Sequence, residues 1–389
     1  MYKLESRTTS ACISLVARNA CRHTRCFHAT SIPKARPAPK PSPKVRAKLG
    51  PQPGVIRIKK TPAIEDSLPP LVLLESGRKS GVLRIEPEAA LEFLRQYMQS
   101  TTKPSGTWEQ KLCDEHDVDP GTLSVIGGIL RRSQSKAQLI LAKKVMLTAS
   151  ALGDKPATLE IVSEALRTGK LDDYTAPLQQ LGLLAKKDND PQALTLLGKV
   201  YYVRRSNKEA LECFRKATRP PTGSLDFDGA GDALVFEGQI LLASNDKDGA
   251  KAAFEKAAKE LDEPAAYFYL SKLQEPGSSQ EQVYLLKAAS SGITEAWHNL
   301  GALELAKQKG SRTKKSATLA DFGMASEWFQ VAAADGFGLS MLNLALMCKS
   351  VGKIEEGMKW LEKAEENVEV RDQARAIKSQ FHNDKVGAI

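Results

Sequence analysis

One spacing recurs through the C-terminal half of this chain: a small residue, a second small residue 12 positions on, a large apolar one at 16 and a third small one at 19. From Gly198 these steps reach Ala210, Phe214 and Ala217; from Gly238 they reach Ala250, Phe254 and Ala257; from Ala345 they reach Gly357, Leu361 and Ala364. From Leu270 they reach Gln282, Leu286 and Ala289, with the first small residue lost. From Gly301 the matching residues, Ala325, Phe329 and Ala332, each come 12 positions late, so that copy carries an insertion between its two halves. Such spacing predicts paired helices. Small side chains let two helical backbones cross closely, and the large residue fills the seam between one pair and the next. The fold class expected is therefore all-α, a stack of helical hairpins.

Composition agrees. Aromatic residues make up 6% of the chain, and no run of 18 apolar residues occurs, so no membrane-spanning helix is expected. The six cysteines, Cys12, Cys21, Cys26, Cys113, Cys213 and Cys348, have no Cys-x2-Cys spacing and read as free thiols. The net charge of +10 is unevenly placed. Residues 1–60 hold 14 Lys/Arg and one acid, for +13; residues 61–389 hold 42 Lys/Arg and 45 acids, for −3. The repeat region thus lacks the basic footprint of a nucleic-acid binder, and nucleic acid is not an expected partner.

Residues 1–28 carry Lys3, Arg7, Arg18, Arg22 and Arg25 against Glu5 alone, with Ser10–Ala20 able to form an amphipathic helix. That is the make-up of a mitochondrial transit peptide, and Arg25-Cys26-Phe27-His28-Ala29 resembles a matrix-processing site. The alternative is a basic tail on a cytosolic protein. Residues 29–70 hold ten of the twenty prolines together with Lys34, Arg36, Lys40, Lys44, Arg46 and Lys48, and read as a disordered basic linker. Residues 71–134 read as a helical segment. In it Pro87 opens a helix to about Ser100 with Leu91, Leu94 and Met98 on one face, and a short helix runs from Trp108 to His116. The repeat array is expected over 135–366, beginning with degenerate copies whose turns are Gly153-Asp154-Lys155-Pro156 and Asp190-Pro191. A polar cap, 367–389, ends the chain.

Trp297-His298-Asn299-Leu300-Gly301 resembles the opening of a tetratricopeptide (TPR) repeat. The endings Lys287-Ala288-Ala289-Ser290-Ser291-Gly292 and Ala332-Ala333-Ala334-Asp335-Gly336 resemble the Sel1 variant. The resemblance implies a TPR/Sel1-like α-solenoid that binds a peptide along the first helix of each hairpin. Carried onto this sequence, the lining positions are Thr195, Lys199 and Tyr202; Val235 and Gln239; His298 and Ala302; and Leu342, Leu346 and Lys349. Chaperone-binding TPR domains hold a terminal carboxylate with Lys and Asn on these helices. Thr195 and Lys199 stand at the matching places here, so that role is not expected. The order of transit segment, helical segment and repeats resembles the fungal mitochondrial TPR factor of cytochrome c oxidase assembly, peripheral on the matrix side of the inner membrane. It implies a protein partner, a segment of a respiratory-chain subunit or assembly factor, and export of the subunit II tail.

Two other readings stay open: a factor bound to mitochondrial RNA or the ribosome, and a generic Sel1-type scaffold. The insertion bears on both, because Lys307, Lys309, Arg312, Lys314 and Lys315 form a basic loop with no acid, suited to membrane phosphates, RNA or an acidic partner. Nothing predicts an enzyme, a metal or a cofactor. Cys113-Asp114-Glu115-His116 offers one Cys and one His where structural zinc takes four N/S ligands, and no hydrolase elbow, zincin or phosphate-loop pattern occurs.

Overall fold

The computed structural model describes residues 64–101, 106–133, 135–311 and 318–381, with backbone alone for 309–311. The transit segment 1–28, most of the linker 29–70, the side chain of Lys309, and Arg312, Lys314 and Lys315 lie outside the described residues. Among the described residues every regular element is helical. They fall into two compact units, 64–205 and 206–381. The boundary lies inside the stretch 135–366 assigned to repeats and places Gly198 and Ala210 in different units.

The first unit opens with α1 (Ile64–Ser67), α2 (Leu71–Lys79), α3 (Pro87–Ser100) and α4 (Trp108–Glu115). There follow α5 (Pro120–Arg131), α6 (Lys136–Ala151), α7 (Lys155–Thr168), α8 (Thr175–Lys187) and α9 (Pro191–Val203). The predicted helix starts hold. Asp154 accepts from the Ala157 N–H at 2.7 Å and Asp190 from the Ala193 N–H at 2.8 Å, each ahead of a proline in the first turn. In α3 the buried stripe is Ala90, Phe93, Leu94 and Tyr97, while Leu91 and Met98 flank it half-buried, so the expected face was turned by about one residue. The Tyr97 hydroxyl drives this turn: it meets the Thr148 hydroxyl of α6 at 2.7 Å in the core.

The second unit is a ladder: α10 (Asn207–Thr218), α11 (Ala230–Ala243), α12 (Lys247–Leu261), α13 (Pro264–Lys272), α14 (Ser279–Ser290), α15 (Thr294–Ser311), α16 (Met324–Ala334), α17 (Gly338–Ser350), α18 (Ile354–Glu366) and α19 (Arg371–Phe381). Each helix packs on its neighbours in sequence, the one-dimensional contact pattern of a repeat array. The recurring spacing explains the packing, with one change. At Gly238 a side chain would meet the Phe254 ring, an added Cβ lying 2.4 Å from it; at Gly301 it would meet Phe329 at 2.6 Å. In these two hairpins the glycine makes room for the large residue of its own hairpin rather than for the alanine. Phe254 then reaches a further helix, stacking on Tyr269 of α13 at 5.0 Å, and Phe214 of α10 likewise stacks on Phe236 of α11 at 5.8 Å. The small-on-small crossing is seen in the last pair, where a Cβ on Gly357 would lie 3.0 Å from the Ala345 carbonyl oxygen.

The α13–α14 pair departs from the expected register. Leu285, 1% exposed, fills the seam with Ala288 and Ala289, and Leu286 is turned to solvent at 38%. The connection here, 273–278, is longer than the three residues that join α11 to α12 and α17 to α18. The insertion differs as well. It does not leave the array as a loop at Lys307, because α15 continues to Ser311 and Lys307 lies on it, donating to Gln282 Oε1 at 2.6 Å. The chain returns as a short turn of 3-10 helix, Leu319–Phe322, whose Phe322 joins the core.

Candidate functional site

The first helices of the second unit's hairpins are α11, α13, α15 and α17. The expected lining residues do not form one open face along them. His298 and Leu342 are fully buried, and Thr195, Val235 and Leu346 are each 4% exposed. Lys199 and Tyr202 are half-buried on α9, Gln239 on α11, Ala302 on α15 and Lys349 on α17. Thr195, Lys199 and Tyr202 belong to the first unit and the others to the second.

The cause at the C-terminal end is α19. Val370, Ala374 and Phe381 pack into one cluster with Leu342 and Leu346, and Phe381 carries the Lys349 ammonium 5.3 Å from its ring centre. The cap therefore covers the face of α17 that the repeat pattern offers to a ligand, and Leu342 and Leu346 are core residues. At His298 the cause is the closeness of α15 and α17. The ring Nδ1 shares a hydrogen bond with Ser340 Oγ at 2.8 Å, and the Phe329 and Phe337 rings lie 5.3 and 4.9 Å away.

Burial pushes the His298 imidazole from 6.5 down to about 3, so it is neutral in the folded chain. The sign of the consequence follows. Below about pH 6.5 the unfolded chain binds this proton and the folded chain does not, so stability falls as pH drops and is level above pH 7. The expected loss between pH 7 and pH 5 is about 2 kcal/mol in urea melts, absent in His298→Gln. A variant that kept the full slope would mean that other groups set it.

What stays accessible on these helices is mixed, with Phe236 of α11 and Trp297 of α15 half-buried beside polar residues. Asp232 and Glu295 are exposed, and Gln239, Asn299 and Ala302 are half-buried. Glu295 is open on one side only. Desolvation by the surrounding protein raises its carboxyl above the usual range, Lys272 of α13 opposes that rise, and Glu369 adds to it. The recess around it carries both signs of charge, with the Lys272 ammonium seated 4.0 Å from the Phe268 ring centre.

A second group was not found from the sequence. Glu237 of α11 is fully buried, and its Oε1 accepts from Arg215 Nε at 3.0 Å and from Arg219 Nη2. The sequence gives no sign of it, because the partners are 22 and 18 positions apart and meet only when α10 packs on α11. Beside it is an open cavity of about 440 Å3.

The family model of the tetratricopeptide repeat matches residues 231–260, the span of α11 and α12. Among solved structures the chain is similar to a Sel1 repeat protein from Oxalobacter formigenes, at 20% identity, over 72% of this chain and 92% of that one, with a TM-score of 0.38. No curated protein matches the sequence. With the ladder of hairpins in the second unit, the match marks a tetratricopeptide repeat at 231–260 within an all-helical repeat fold, a scaffold suited to binding other proteins.

Proposed function

We propose that this protein is a mitochondrial adaptor that binds a protein segment during assembly of an inner-membrane respiratory complex, most specifically cytochrome c oxidase at the export of the subunit II tail. The observation that carries the binding role is the stack of hairpins from α11 to α18, which includes the TPR match at 231–260. Arrays of this kind hold partners across several repeats, and the accessible side chains on α11 and α15 mix polar and apolar residues, fitting a partial, exchangeable grip on a client. The organellar part rests on the basic, acid-poor first 28 residues and on the resemblance to the oxidase assembly factor. A place on the matrix side of the inner membrane fits a chain in which no described helix is long and apolar enough to cross a bilayer. Binding without catalysis fits a sequence with none of the nucleophile, zincin or phosphate-loop patterns.

The test is deletion of the gene followed by assay of cytochrome oxidase and of subunit II. Loss of oxidase with subunit II retained on the matrix side is expected. Normal oxidase with correctly exported subunit II would reject the assembly role, and a C-terminal fluorescent fusion outside mitochondria would reject the compartment.

A further inference from the structure

We infer that the cavity beside α10 is a binding site for a phosphorylated side chain of a peptide. It is lined wholly by residues of the second unit, among them Lys208, Arg215, Lys216 and Arg219, with Leu211 and Pro220 as its apolar wall.

Basic residues in the last turn of a helix ordinarily serve its free carbonyls and its dipole. Here three carbonyls at this end already have partners. The Lys216 oxygen accepts from Thr222 Oγ1 at 3.1 Å, the Ala217 oxygen from the Ser224 N–H at 3.1 Å and the Arg219 oxygen from the Gly223 N–H at 2.8 Å. The turn is built for this, since a side chain on Gly223 would sit 2.3 Å from the Ala217 carbonyl oxygen. The two guanidiniums are instead held from beneath by one oxygen of the buried Glu237 and remain 41% and 50% exposed at the cavity.

A carboxylate that fixes two arginine forks before a ligand arrives removes much of the ordering cost of binding. The charge left over selects the ligand. Four cations line or rim the cavity. Glu237 neutralises one, and Glu212, 2.7 Å from the Lys216 ammonium, neutralises another. Two positive charges remain, which matches a phosphate monoester near its second ionisation better than a single carboxylate. About 440 Å3 is more room than a bare phosphate fills, and Leu211 and Pro220 offer contact to the aliphatic or aromatic stem that carries it. A peptide source follows from the repeat class. The site is on α10, apart from the positions of α11, α13, α15 and α17 read for TPR ligands.

The experiment uses the full chain and a fluorescent degenerate peptide library carrying one central phosphoserine or phosphotyrosine, with its unphosphorylated counterpart. Anisotropy is read with and without inorganic phosphate or a short RNA as competitor. Preference for the phosphorylated library by about tenfold or more is expected, lost in Lys208→Gln/Lys216→Gln and weakened as salt rises. Those lysines do not touch Glu237, so the fold is kept, and circular dichroism checks it. Arg219→Gln is a second variant with the same expected loss. Equal binding of both libraries, or unchanged affinity in the lysine variant, would overturn the site. Inorganic phosphate bound as tightly as the phosphopeptides, or RNA bound more tightly with loss in the same variants, would overturn the peptide source.

Discussion

Phe329→Ala is expected to destabilise the second unit by about 3–5 kcal/mol, the range for deleting a fully buried phenylalanine. The ring is 0% exposed, faces Gly301 within its own hairpin and lies 5.3 Å from the His298 ring. Its loss opens space on α15, α16 and α17 at once, and three helices cannot all move in to close it. The glycine opposite makes the test specific. Gly301→Ala alone sets a Cβ 2.6 Å from the ring and is expected to cost about 1–3 kcal/mol by overpacking. In the Phe329→Ala background the same methyl enters the vacated space, so its cost should vanish or change sign, and the double-mutant cycle should be strongly non-additive. Each repeat contacts only its neighbours, so the variant is expected to melt first around α15–α17, seen as a broadened urea transition with a lower first midpoint. A cost below about 1 kcal/mol, or additive substitutions, would mean that this ring does not join the hairpins.

The same hairpin shows what a sequence alone discloses here. Gly301 and Phe329 are held apart by the offset of a helical pair plus its insertion, and offsets are local information, so both positions could be read without coordinates, but not that the glycine faces the ring rather than the alanine. Leu285 could not. Both Leu285 and Leu286 are apolar, and only the packing of α14 against its neighbours decides which one turns inward. The lining residues failed for a longer-range reason. Leu342 and Leu346 occupy the positions that face a ligand in an open repeat, but the side of α17 they share is taken by α19 and the residue before it, and the apolar Val370, Ala374 and Phe381 there sit among polar neighbours in the sequence. His298 stands at another such position and is closed in by Ser340 and Phe337, some 40 residues on, which no repeat offset marks. The polar residues that remain accessible on the same helices, Asp232 and Glu295 among them, carry no signature either, because solvent-facing positions of a helix accept most side chains.

The Glu237 cluster gives the second large effect, and its sign can be tested by rescue. Arg215→Gln/Arg219→Gln removes both cations from a carboxylate that is 0% exposed, and is expected to cost about 3 kcal/mol, because an unpaired charge then stays buried. The arginines are about half exposed, so their own hydration returns most of what they lose; the penalty belongs to the carboxylate. Adding Glu237→Gln to the double variant discharges that group while keeping its shape. Stability should then recover to within about 1.5 kcal/mol of the parent, leaving the cost of lost neutral hydrogen bonds. Glu237→Gln by itself should cost about 1–2 kcal/mol, since both guanidiniums can still turn to water. Urea denaturation of the four proteins separates this from simple loss of packing: if the triple variant is no more stable than the double, the arginines act through their aliphatic stems and not through the buried charge. A recovery would also establish that Arg215 and Arg219 act through the Glu237 carboxylate, which is the condition for its fixing both guanidiniums at the cavity rim.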